Sequence, residues 1–199
     1  MEYIYEAHNM LPKTFCQEMI EKFESDSRRR QGETQGGAID HTLKKCTDLS
    51  IEHITGWGVE SKHLDDAFNT AFIDYQNYLK LNVFGEEKAH IVDQLFSGKN
   101  VVRNTLTFRK YQVGDYFKWH IDYLHSADRM CNFIIYLNDH EACTEFLNGK
   151  KIKPEAGKIV FFPTTWADAH CGQTIEKGDK YMITSFIHYD DTNERYTPP

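Results

Sequence analysis

No stretch of the chain approaches the roughly 20 consecutive apolar residues that a membrane-spanning helix needs. Its first residues, Met1-Glu2-Tyr3-Ile4-Tyr5-Glu6, hold no basic segment followed by an apolar run. A soluble, cytoplasmic protein with no membrane partner is expected. An excess of positive charge is missing too: 23 Lys and Arg stand against 30 Asp and Glu, a net charge of −7. That balance argues against affinity that comes mainly from neutralising phosphates, so nucleic acid is a disfavoured substrate. Cysteine is scarce and unpatterned. Cys16, Cys46, Cys131, Cys143 and Cys171 are odd in number and show no Cys-x-x-Cys spacing, which suggests neither a disulfide framework nor a cysteine zinc site. Reduced core thiols are expected. Internal repeats and low-complexity tracts are absent as well.

The 199 residues, 40% hydrophobic and 14% aromatic, suffice to bury a full core, most simply as one domain over residues 1–199. Residues 1–100 read as supporting helices and short strands. After a short extended start, Thr14-Phe15-Cys16-Gln17 has capping-box spacing, and Phe15, Met19 and Phe23 mark an amphipathic helix ending near Ser25. Residues 27–45 form a polar, glycine-bearing loop, read as a surface connection or as a lid over a substrate entrance. Asp48-Leu49-Ser50-Ile51 reads as a short strand, Glu60 to Leu81 as the strongest helix, and Gly85 to Gly98 as a turn and a short helix.

Residues 101–190 change to period two. From Val101 to Tyr111, Leu106 and Phe108 share one face, while Arg103, Thr105, Thr107, Arg109 and Tyr111 share the other, polar one. Gly114-Asp115 turns the chain into the next strand. Further strands are read at Asn132 to Asn138, Glu145 to Leu147, Lys158 to Phe162, Ala169 to Thr174 and Lys180 to Tyr189, with turns at Asn148-Gly149 and Lys177-Gly178-Asp179. Many short strands between turns predict a mainly β fold with flanking α-helices, a jelly-roll supported by the N-terminal helices.

Three His-x-Asp pairs occur. His63-Leu64-Asp65 lies in helical periodicity, where residues two apart do not face each other, and reads as a solvated helix face. His188-Tyr189-Asp190 has no later histidine and reads as the end of the last strand. His120-Ile121-Asp122 is different. Side chains at i and i+2 leave a strand on the same face, so His120 and Asp122 can share a metal, and His170 can supply a third ligand. Two imidazoles and one carboxylate form the facial set associated with Fe(II) oxygenases, with positions left open for co-substrate and oxygen. Lys180, Met182, Thr184 and Phe186 share one strand face, so a cation and a hydroxyl converge, and a buried lysine there requires an anion. Trp119 and Trp166, beside the ligands, read as packing residues. His8, His41, His53, His90, His125 and His140 read as surface or loop residues.

The ordered set Tyr111, His120-x-Asp122, Arg129, Tyr136-Leu137-Asn138, Pro154-x-x-Gly157, Phe161-Phe162-Pro163, His170 and Gly178-x-Lys180 resembles the 2-oxoglutarate and Fe(II)-dependent dioxygenase superfamily, in its prolyl 4-hydroxylase-like branch. The resemblance runs from about Arg103 to Tyr189, and the front helix with Cys16 is similar as well. It implies a double-stranded β-helix, cupin-like core, with His120, Asp122 and His170 as the catalytic iron ligands. It also implies 2-oxoglutarate contacts from Lys180, Tyr136, Thr184 and Tyr111, and a substrate-side role for Arg129. Implied cofactors are Fe(II), 2-oxoglutarate, O2 and ascorbate. Two positions depart from the pattern: Ala142-Cys143 stands where relatives often carry Gly-Gly, and Phe186 where many carry tryptophan.

The expected activity is hydroxylation of an unactivated C–H bond, with release of succinate and CO2. By analogy of branch, the expected partner is a prolyl residue of a peptide or protein. The rival readings are a free amino acid or other small molecule as substrate, and a non-catalytic metal-binding barrel serving as an interaction module. Nucleic-acid demethylation of the AlkB-like kind uses a pair of arginines after the last ligand, and none follows here until Arg195.

Overall fold

Alternation in the second half of the chain becomes two antiparallel sheets, and the central strands of the larger one send successive side chains into different cores. The computed structural model describes residues 2–34, 37–52, 54–96, 101–123 and 129–189. In chain order the first half comprises β1 (Tyr5–Ala7), α1 (Lys13–Ser25), β2 (Arg30–Gln31), β3 (Lys44–Lys45), β4 (Thr47–Ser50), α2 (Gly58–Tyr78) and α3 (His90–Phe96). The second half comprises β5 (Val101–Arg103), β6 (Thr107–Tyr111), β7 (Tyr116–His120), β8 (Arg129–Tyr136), β9 (Thr144–Phe146), β10 (Lys151–Ile152), β11 (Ile159–Pro163), β12 (His170–Gly172) and β13 (Lys180–Tyr189). The larger sheet has the order β1-β11-β8-β13-β6-β4-β2, with β5 also pairing β13; the smaller has the order β10-β9-β12-β7-β3. This is the expected jelly-roll with helices on one side. Among the described residues no helix is long and apolar enough to cross a membrane.

Parity along the strands separates the two cores. Phe133 and Ile135 of β8, Ile159 and Phe161 of β11, and Tyr181 and Ile183 of β13 face the helices, where they meet Met19 and Phe23 of α1 and Leu64, Phe68 and Tyr75 of α2. Phe23 stacks on Phe108 at 4.2 Å, and Tyr75 on Phe161 at 5.1 Å. The intervening residues, Ile134 and Tyr136, Val160 and Phe162, and Met182, face the smaller sheet and meet Phe146, Ile152 and Phe117. Helices therefore brace the outer face of the large sheet and leave its inner face for the site.

Several local expectations require correction. Helix α1 starts at Lys13 behind Pro12, with no side-chain cap, so Thr14 lies inside the first turn. The fixed φ of proline initiates a helix without a capping hydroxyl. Helix α2 is followed by a π-helical stretch at Leu79–Phe84 that ends at Gly85, φ 74°. The expected single strand from Val101 to Tyr111 is two, because β5 pairs with Ile187 to Tyr189 of β13 and β6 with Lys180 to Thr184. The expected loop 27–45 contains β2 and β3, which add to the edges of the two sheets. Two-residue edge strands carry too little alternation to be read from sequence. Gln35 and Gly36 of that loop, Gly98, His53, His125, Asp190 and Arg195 lie outside the described residues. Cys16, Cys46 and Cys131 are buried thiols as expected, whereas Cys143 and Cys171 are half-buried; none of the five is in a disulfide.

Candidate functional site

The smaller sheet places both histidines. β12 pairs with β7 so that His170 lies opposite His120, with ring centroids 4.3 Å apart. Asp122 is not on the strand, which ends at His120; it lies on the bend beyond, and this corrects the same-strand expectation. The bend still brings the carboxylate between the two rings. Asp122 Oδ1 is 3.7 Å from His120 Nε2, and Oδ2 is 3.7 Å from His170 Nε2. One ligand atom from each of the three residues fits within 4.8 Å of the others.

Hydrogen bonding fixes the state of each ligand. His120 Nδ1 lies 2.8 Å from the Lys118 carbonyl and His170 Nδ1 lies 3.1 Å from the Asp168 carbonyl. A carbonyl only accepts, so each Nδ1 is the donor and each Nε2 is turned toward Asp122, free to serve as the ligand atom when a metal binds. Burial, aided by the neighbouring His170 ring, pushes the His120 imidazole well below its usual value, which keeps it neutral and able to coordinate. Asn132 Nδ2 of β8 donates to Asp122 Oδ2, while the Asn132 Oδ1 atom is buried with no donor among the described residues. This donor set suits Fe(II): two imidazoles and one oriented carboxylate around a single point.

From the metal triad a cavity runs between the sheets, lined by Arg109, Tyr111, Ile134, Lys180, Met182 and Thr184 among others. Lys180 is 1% exposed, and its Nζ reaches only the Ala142 carbonyl at 3.3 Å and the face of the Tyr111 ring at 5.3 Å. No carboxylate of the described residues pairs with it, and burial pushes the ammonium down to about 8. A buried cation lacking an anion is the condition a carboxylate ligand would relieve. Thr184 lines the same cavity and accepts a hydrogen bond from Arg109 Nε at 2.8 Å. Tyr136 does not line it; its hydroxyl meets Thr144 Oγ1 at 2.7 Å, and Thr144 does. Arg129 lies over the Phe186 ring at 3.9 Å and donates to the Asp122 carbonyl at 3.3 Å.

The residues between Leu106 and His188 carry the family match: positions 106–188 fit the model of the 2OG-Fe(II) oxygenase superfamily. The matched segment, less than half of the chain, contains His120, Asp122 and His170. A match to this family implies a 2-oxoglutarate-dependent dioxygenase that uses Fe(II), 2-oxoglutarate and O2. No curated protein sequence matches it significantly. Its fold is that of solved prolyl hydroxylases. The prolyl hydroxylase of Trichoplax adhaerens, in complex with a hypoxia inducible factor oxygen degradation domain peptide fragment, superposes with TM-score 0.72 at 13% identity, over 98% of this chain and 87% of that one. A Pseudomonas putida prolyl-4-hydroxylase gives 0.63 at 14% identity, over 94% and 93%. The viral collagen prolyl hydroxylase of Paramecium bursaria Chlorella virus-1, in its 2OG complex, gives 0.61 at 17%, over 94% and 96%.

Three polar groups lining this cavity have no counterpart among the site residues expected from the sequence: Arg109, Asn132 and Thr144. Arg109 was detectable, since it shares strand parity with Tyr111, but a polar strand face reads as solvent rather than as a polar interior. Asn132 shares parity with Ile134 and Tyr136 in the same way. Trp119 and Trp166, expected to be packing, are exposed at 49% and 77%, and Tyr123 beside Asp122 is exposed at 46%. The other His-x-Asp pairs stay out of the site: His63 is exposed on α2 and Asp65 accepts from Arg103, while His188 is the penultimate residue of β13. His8, His41 and His90 are exposed and His140 is half-buried.

Proposed function

We propose that the chain, acting as one domain, hydroxylates an unactivated C–H bond of a prolyl residue in a peptide or protein of the cytosol. His120, Asp122 and His170 hold the iron in this reading, and Lys180 receives the distal carboxylate of 2-oxoglutarate. The observation that carries it is the buried Lys180, with no anionic partner among the described residues, set in one cavity with three side chains that can hold a metal. When bound, iron and co-substrate supply the oxidising chemistry, turning O2 and 2-oxoglutarate into succinate, CO2 and one oxygen atom for the substrate.

The protein's contribution is placement and exclusion of water. The Lys118 and Asp168 carbonyls hold both imidazoles with Nε2 inward, and Asn132 fixes the carboxylate that completes the set. Ile134, Met182, Phe117 and Phe186 give the cavity apolar walls, which strengthen electrostatic contacts inside it. Tyr111 flanks Lys180 and Thr184 adds a hydroxyl. A peptide partner is supported by the fold shared with the three prolyl hydroxylases and by Trp119, Tyr123 and Trp166, whose exposed rings, neighbours of the ligands in sequence, suit an extended proline-bearing segment. Arg129, beside the bend that carries Asp122, is assigned to the substrate side.

The test is succinate release with Fe(II), ascorbate and 2-oxoglutarate, challenged with a library of proline-containing peptides and, separately, with free amino acids. Stimulation by peptides, with hydroxyproline found in the product, is the expected result. Stimulation by free amino acids alone would overturn the peptide assignment.

A further inference from the structure

Arg109 enters the cavity from β6 opposite Met182, one inward position from the Tyr111–Lys180 pair. Along the inward face of β13 the order is Lys180, Met182, Thr184, Phe186, and Phe186 pairs with Asn132, the residue that holds Asp122. Arg109 reaches Thr184, so it stands on the wall between the lysine and the metal triad. Two observations show that it is more than half of a structural ion pair.

The first is charge. Asp48 is the only carboxylate of the described residues within 4 Å of Arg109, at 3.6 Å, and the same carboxylate takes the buried Lys44 at 2.9 Å and the Cys46 thiol at 3.1 Å. Among the described residues one anion therefore faces two cations, while Lys180 has none. Burial would raise the Asp48 carboxyl, but Arg109 and Lys44 hold it below its usual value, so it stays charged and is fully shared. The second is the direction of a proton. A hydroxyl has one hydrogen and two lone pairs, and the Thr184 hydroxyl uses one lone pair to accept from Arg109 Nε at 2.8 Å, so its hydrogen points away from the guanidinium. Among the described residues nothing else bonds to it, which leaves its hydrogen for a ligand in the cavity that it lines.

We infer that Arg109 is a positioning residue for 2-oxoglutarate: it turns the Thr184 hydroxyl into a donor facing the cavity, and together with Lys180 it makes the cavity a receptor for a dianion. Lys180 alone matches one carboxylate. The unbalanced charge of the wall matches two. The inference rests on the proposed assignment of the cavity to iron and co-substrate.

The experiment is an anaerobic titration of 2-oxoglutarate into the Fe(II)-loaded protein, followed by the visible charge-transfer absorption of the chelate, for wild type, Arg109→Gln, Arg109→Lys, Thr184→Val and the Arg109→Gln/Thr184→Val double variant. Loss of a charge-assisted hydrogen bond predicts a Kd raised about tenfold or more in Arg109→Gln and in Thr184→Val, with the double variant close to either single one. Arg109→Lys keeps a cation beside Asp48 but lacks the Nε–H donor, so it should weaken binding as well and covers the case in which Arg109→Gln fails to fold. Mn(II) affinity should be unchanged throughout, which a general distortion of the site would not allow. A Kd within twofold of wild type in the arginine variants overturns the inference. So does a double variant whose effect is the product of the two singles, since Arg109 would then not act through Thr184. Absence of the absorption in the wild type would overturn instead the assignment of the cavity on which the inference rests.

Discussion

Replacing Lys180 with methionine should stabilise the metal-loaded protein in the absence of co-substrate and remove its response to 2-oxoglutarate. Burial lowers this ammonium from 10.5 to about 8, which at neutral pH corresponds to a folding penalty of roughly 3 kcal/mol. Losing the bond to the Ala142 carbonyl returns about 1 kcal/mol of that gain, leaving about 2 kcal/mol. For a chain of this length that raises Tm by roughly 4–8 °C. The sign with pH follows from proton uptake. Between about pH 8 and 10.5 the unfolded chain binds a proton that the folded chain lacks, so the wild type gains stability as pH rises through that window. Below pH 8 the penalty is complete, and above 10.5 it is gone. The advantage of Lys180→Met should therefore be full at pH 7 and vanish near pH 10.5. With Mn(II) bound, 2-oxoglutarate at a hundred times its Kd should stabilise the wild type by about 2.7 kcal/mol and the variant not at all. Thermal melts at both pH values, with and without co-substrate, supply the four numbers. A variant less stable than wild type at pH 7, or one stabilised equally by 2-oxoglutarate, would refute the reasoning.

Asn132→Ala should lower Fe(II) affinity by about ten- to a hundredfold, because it frees the Asp122 oxygen that the amide orients; competition with a chelator measures this, and an unchanged affinity would show that the bend alone suffices. Gly157→Ala should destabilise the fold by at least about 2 kcal/mol in urea melts. Its φ is +83° and an added Cβ would lie 2.2 Å from the Leu11 carbonyl oxygen, which the chain leading into α1 cannot move aside. A midpoint within experimental error of wild type would contradict that.

Much of the architecture was legible because burial and period-two alternation agree over β8, β11 and β13, where inward and outward residues are sharply different in kind. The convergence of the proposed ligands has a related reason: two histidines on neighbouring antiparallel strands become opposed when the register aligns His120 with His170. What could not be read depends on pairings remote in sequence. Lys44 lies in a two-residue edge strand and looks like a surface lysine, yet it is 1% exposed because β3 adds to β7 and places it beside Asp48. Arg109 looks like the polar face of a half-exposed strand until β13 and β4 close on either side of it. The position of Asp122 beyond the strand end also has no sequence signal, since a bend and a strand present the same His-x-Asp spacing.

The central claim is that His120, Asp122 and His170 hold an iron to which 2-oxoglutarate binds against Lys180. The most direct measurement adds Fe(II) and then 2-oxoglutarate to the purified protein under strict exclusion of oxygen and records the visible spectrum, with His170→Ala alongside. The account predicts the charge-transfer band of the chelate in the wild type and its loss in a variant that remains folded. A wild type that is folded and metal-bound but shows no band, or a His170→Ala protein that keeps it, would contradict the account.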